Sequence, residues 1–175
     1  MRCAMLVLFG AYAGLSVGCN PVGMAAKAGV SMVRGVQADV HPVRDVSRHA
    51  LASYDRLKVG QVTSDVGRIC SPPLITEVRK AMILALADES RTRFTGSGKA
   101  LVVNVVCRFY KQKSLIGQEG RLDLLAILVD QESGQEVGRL YLEGLTESPV
   151  HTGMDDMAKG VSRKLAEYLG EKKKG

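Results

Sequence analysis

Tryptophan is missing from this 175-residue sequence, and five tyrosines and three phenylalanines keep the aromatic share at 5%. Basic residues are spread along the chain apart from Lys172-Lys173-Lys174. A nucleic-acid surface needs a concentrated positive face and stacking rings, so that class of partner is excluded. Histidine is equally sparse: His41 and His49 have no carboxylate or second histidine at ligand spacing, and His151 reads as a loop residue, so no metal is expected. No two of the four cysteines stand at the close spacing of a zinc or redox motif. Paired loop carboxylates and a serine in a nucleophile elbow are missing too, which leaves no constellation for acid–base or covalent catalysis. Long apolar runs are likewise lacking. The one from Cys3 to Cys19 falls short of the roughly 20 residues a membrane span requires, and Asn20-Pro21 stops it.

That run has a different use. Met1 to Cys19 carries one basic residue, an apolar stretch and small residues ending in cysteine, the layout of a bacterial export signal. Leu15-Ser16-Val17-Gly18-Cys19 resembles a lipoprotein cleavage point, although the large aliphatic residue stands four before the cysteine and Ser16 three before it. The resemblance implies that residues 1–18 are removed. Cys19 then carries a diacylglycerol and an acyl chain such as palmitate as the mature N-terminus, and no other cofactor is expected. Asn20, in place of the aspartate that commonly retains lipoproteins at the inner membrane, points to the outer membrane, facing the periplasm.

Residues 19–52 read as the lipidated N-terminus and a flexible tether of Gly, Ala, Val and Ser with Pro21 and Pro42 as breakers, ended by a short helix near 45–52. About 30 such residues reach about 30 Å. Length favours a single core, placed at residues 53–175. Loss of Arg2 with the signal leaves Lys and Arg, 24 in the whole chain, in excess over 18 acidic residues. The terminal lysines suit a solvated helix end, or a rest against acidic headgroups.

Within the domain, Tyr54 to Thr63 alternates as a strand with one wet face. Ser71-Pro72 opens a helix whose apolar stripe is Leu74, Val78, Ala81, Met82, Ala85 and Leu86. Thr95-Gly96-Ser97-Gly98-Lys99 fails as a phosphate loop, because Arg93 replaces the first glycine and Ala100 the hydroxyl residue; it reads as a turn. Ala100 to Tyr110 is the strongest strand, with Leu101, Val103, Val105, Cys107 and Phe109 on one face and Val102, Asn104, Val106, Arg108 and Tyr110 on the other. Arg121 to Asp130 and Glu136 to Thr146 flank a turn-rich linker, which predicts an antiparallel hairpin. A last helix carries Ala158, Val161, Leu165 and Leu169. The expected fold is α+β: an antiparallel-rich four-stranded sheet with two helices on one face, in the order β-α-β-β-β-α.

The strand Ala100 to Arg108, the segment Leu124 to Gly138 and the helix Met154 to Leu169 resemble a group of bacterial lipoproteins known chiefly as a domain of unknown function. The resemblance implies an envelope location and a small α+β domain, and no reaction. Two functions follow as expectations. One is a membrane-anchored, non-enzymatic binding or structural module whose partner face is Val102, Val106, Leu125, Ile127, Val129 and Tyr141, unless residues 20–52 fold over it; its partner would be another envelope protein. The other is a thiol-dependent enzyme or redox protein using Cys70 at a helix N-terminus. Against that stands the lack of a resolving cysteine at redox spacing. Cys70 and Cys107 are either bridged, or a loop thiol and a small buried strand residue.

Overall fold

The computed structural model describes residues 35–44, 46, 48–113, 119–147 and 153–170. Residues 1–34, with Cys19 and the stretch read as a signal, lie outside the described residues, as do His151 and the terminal lysines. Chain order is β1 (Gln37–Arg44), α1 (Arg48–Leu51), β2 (Arg56–Ser64), a 3-10 turn (Gly67–Ile69), α2 (Pro72–Ala87), β3 (Ala100–Lys111), β4 (Gly120–Asp130), β5 (Glu136–Thr146) and α3 (Met154–Gly170).

The class is α+β, and the sheet corrects the expectation in two ways. It has five strands in the order β1-β5-β4-β3-β2, and it is mixed. The extra strand comes from the stretch read as tether: β1 pairs antiparallel along the edge of β5, with Val40 opposite Leu142. Its Pro42 and exposed polar residues hid the strand, and both are what an edge position tolerates. The second correction is that β2 and β3 are parallel. α2 is the crossover that such a pair requires, returning the chain to the end where β2 began.

α2 buries Leu74, Val78, Ala81, Met82 and Leu86, and α3 buries Ala158, Val161, Leu165 and Leu169, the stripes legible in the sequence. Both helices cover the sheet face made by Leu101, Val103, Val105, Cys107, Leu122, Leu124, Ala126, Leu128, Leu140 and Leu142. α2 stops at Ala87 because the Asp88 carboxylate accepts the Ser90 amide and hydroxyl, while its carbonyl takes the Arg91 and Thr92 amides. α3 passes close over β1's start: a Cβ at Gly160 would lie 2.6 Å from Val36. Cys70 and Cys107 are joined by a disulfide with Cα atoms 6.2 Å apart, tying the turn before α2 to β3.

A bulge after Cys107 changes the side-chain assignment at the end of β3. Cys107 pairs with Leu124 but Phe109 with Asp123, so Phe109 leaves the helix-covered face and Tyr110, opposite Leu122, joins it. Both residues therefore sit on the faces opposite to those expected from strict alternation. One extra residue reverses a period of two.

Candidate functional site

The sheet face turned away from both helices is the candidate site. Register brings together every residue expected there: Val102 lies opposite Val129, Val106 opposite Leu125, and Leu125 opposite Tyr141, with Ile127 between Asn104 and Arg139. These side chains form an apolar strip across β3, β4 and β5. Leu125 at its centre is only 7% exposed, while Val102, Val106, Ile127, Val129 and Tyr141 are half-buried. On the β2 side, a bulge between Val59 and Val62 brings the Gln61 amide to 2.9 Å from Asn104 Oδ1, which accepts its hydrogen bond. Only glycine fits at position 60, where a Cβ would lie 2.2 Å from that oxygen.

Charged groups frame the strip at both ends. Arg121 donates from Nε to both carboxylate oxygens of Asp123, at 2.8 and 3.0 Å, and lies 3.0 Å from Glu143 through Nη2. Its guanidinium also rests over the Phe109 ring, 5.9 Å from the centroid, a contact that the bulge makes possible. Asp123 is 4% exposed and so needs this pairing. Hydrogen bonding to Asp123 pushes the Arg121 pKa further up, and burial, then the bond to Asp123, raises that of Tyr141. At the other end Arg139 donates to Glu136 at 2.6 Å, and Arg44 of β1 lies 3.8 Å from the same carboxylate. His41, across from Tyr141 on the edge strand, is exposed.

The arrangement offers an apolar surface with ion pairs at its margins, suited to contact with another surface. Cys70 and Cys107 are both buried and bonded to each other, so neither presents a free thiolate. Among the described residues no group of three or more His, Cys, Asp or Glu could hold a metal, and no helix is long and apolar enough to cross a membrane.

A second cluster escaped the sequence reading. The Asp130 carboxylate accepts a hydrogen bond from the Tyr54 hydroxyl at 2.8 Å and pairs with Lys99 at 2.5 Å, and its other oxygen takes the amides of Glu132 and Ser133 at 2.9 Å each. Lys99, first bonded to it, and these donors hold the Asp130 carboxyl well below the usual carboxylate range. Burial, then the bond to Asp130, pushes the Tyr54 phenol up to about 12. The lysine of the discarded phosphate loop is thus spent on Asp130. An aspartate closing a strand before a turn was the available signal, since it caps the next amides; the partners 31 and 76 positions away were not.

No protein-family model matches the sequence, and no curated protein matches it. Solved structures do share the fold. A PelC dodecamer from Paraburkholderia phytofirmans is similar with a TM-score of 0.50 at 11% identity, covering 78% of this chain and 99% of that one. Protein XCC0632 from Xanthomonas campestris, of domain-of-unknown-function family DUF330, is similar with a TM-score of 0.50 at 13% identity, covering 74% and 88%. At such identities the likeness concerns architecture: a small α+β domain of the kind the family resemblance implied.

Proposed function

We propose that the chain is a lipid-anchored module of the bacterial cell envelope that acts by binding, with the open sheet face as its contact surface for another envelope protein. The observation that carries this is the apolar strip Val102, Val106, Leu125, Ile127, Val129 and Tyr141, left on the sheet face opposite both helices. A single helix layer leaves one face of a sheet without cover, and a contiguous apolar patch there is a contact site. The anchor rests on Leu15 to Cys19, and the outer-membrane address on Asn20. A second reading, self-association through the same face, is favoured by the dodecamer that PelC forms on this fold.

Crosslinking in intact cells followed by recovery of the protein from the envelope tests the proposal, comparing wild type with Ile127→Glu. Ile127 is half-buried on the open face, so the substitution is expected to keep the melting temperature within a few degrees while removing the crosslinked partner. Sedimentation of the purified protein separates a second copy from a different partner. Crosslinks unchanged by Ile127→Glu would refute the role of this face.

A further inference from the structure

We infer that the end of the sheet where the chain enters the fold faces the bilayer that holds its lipid, and that Ile69 is the apolar side chain that touches it. The inference rests on the lipid anchor at Cys19. Topology defines that end. Gln37 of β1 lies opposite Leu145, near the finish of β5; Gly120 starts β4 opposite Thr146; and Ser64 ends β2 opposite Cys107. α2 and α3 both begin there, so the turn Gly67–Ile69 belongs to the same end as Gly35.

Chain length sets how far that end can stand from the membrane. Residues 20–34 separate Cys19 from the first described residue, about half the tether expected from sequence, because β1 takes up the rest. Fully extended, fifteen residues span at most about 50 Å. The sheet is about 20 Å wide from β1 to β2, at roughly 4.8 Å per strand, so lipid and Ile69 can engage one surface together. Tethering makes the second contact intramolecular, and one apolar side chain then suffices where a free protein would need many.

Among the described residues four large apolar side chains are conspicuously exposed: Val43, Ile69, Ile83 and Leu84. Of these four, Ile69, 48% exposed, is the one at the entering end, and the disulfide at its neighbour Cys70 fixes the turn to β3. Leu84 is more exposed, at 70%, but stands twelve residues along α2, about 18 Å from that end. Val43 lies at the opposite end of β1.

Among the described residues charge at this end balances. Arg108 pairs with Asp65, Lys113 donates to the Glu147 carbonyl, and Asp155 pairs with Lys159, with Asp156 beside it in the first turn of α3. Arg68 and Lys111 are exposed, as are Glu119 and Glu147. On these residues the contact needs no anionic lipid, and phosphatidylcholine vesicles are the appropriate probe.

The native absence of tryptophan allows a direct test. The full precursor is expressed in cells as Ile69→Trp, Leu84→Trp or Ser133→Trp, the lipidated product is purified, and each is reconstituted into phosphatidylcholine vesicles with brominated acyl chains. Emission from position 69 is expected to be blue-shifted and quenched about twofold, as for a side chain held within roughly 5–10 Å of the headgroup boundary, with positions 84 and 133 unaffected. Hydrogen exchange on wild type reads the same contact without substitution, as protection of the Val66–Cys70 amides on vesicles. Mass spectrometry of the purified protein separates the two ideas. Cys19 without lipid overturns both. A lipidated protein with position 69 unquenched, position 84 quenched instead, or quenching that requires anionic lipid overturns this inference alone.

Discussion

Reduction of the Cys70–Cys107 bond should cost this domain a large part of its stability. The bridge spans 37 positions and encloses the whole of α2, connecting the start of the crossover helix to β3, the strand beside edge strand β2. In the chain-entropy account, closing a loop of that length removes about 13 cal/mol/K from the unfolded ensemble, or about 4 kcal/mol at 25 °C. A domain of this size shifts its melting temperature by about 4 °C per kcal/mol, so a fall of about 15 °C is expected. Against a typical total of 5–15 kcal/mol, the reduced protein would stand near the margin of folding. Both sulfurs are buried, so reduction has to be carried out in denaturant and followed by refolding with and without reductant. Thermal melts by circular dichroism then compare two samples of identical sequence, free of the cavity that a Cys107 substitution would open. A difference under about 4 °C, worth about 1 kcal/mol by the same conversion, would refute the reasoning. Two free thiols in protein isolated from the envelope would refute the bridge itself.

Cys19→Ser should abolish lipid modification, because no other cysteine ends the apolar run, leaving unprocessed precursor or soluble protein; equal membrane retention of the cleaved mutant and wild type would sink the lipoprotein reading. Asp130→Asn tests the cluster at the far end of the sheet. A carboxyl whose folded pKa is depressed adds stability that is fully present above its unfolded value of about 3.9 and is lost as pH falls below it. Wild type should therefore melt higher than the Asn variant at pH 7, with the gap narrowing as pH drops below about 4. Parallel melting curves across that range would mean that Lys99, Tyr54 and the turn amides do not favour the ionised carboxylate in the folded chain.

Much was legible in the residues alone. The stripe Leu74, Val78, Ala81, Met82 and Leu86, and that of Val161, Leu165 and Leu169, predict two one-sided helices because a period of 3.6 cannot be mistaken for a period of 2 over four turns. Alternation in β3, β4 and β5 likewise separates a covered face from the open one, and the six residues of the candidate strip follow from it. Edge strand β1 was not legible: it buries little, its pattern is polar, and its existence depends on the unpaired rim of β5. Nor was the parallel pairing of β2 with β3, since strand–helix–strand order states the connection without saying which neighbour the strand meets.

The sequence by itself determined the two amphipathic helices and the two-faced strands, both of which are local periodicities that burial enforces on any fold. Tertiary structure alone decided what depends on one residue's position relative to distant ones. The bulge after Cys107 sends Phe109 under Arg121, Asp130 gathers Lys99 and Tyr54, and Cys70 reaches Cys107. Pairing across many positions carries no period in the chain, because its energy lies in contacts that exist only once the sheet has closed its register.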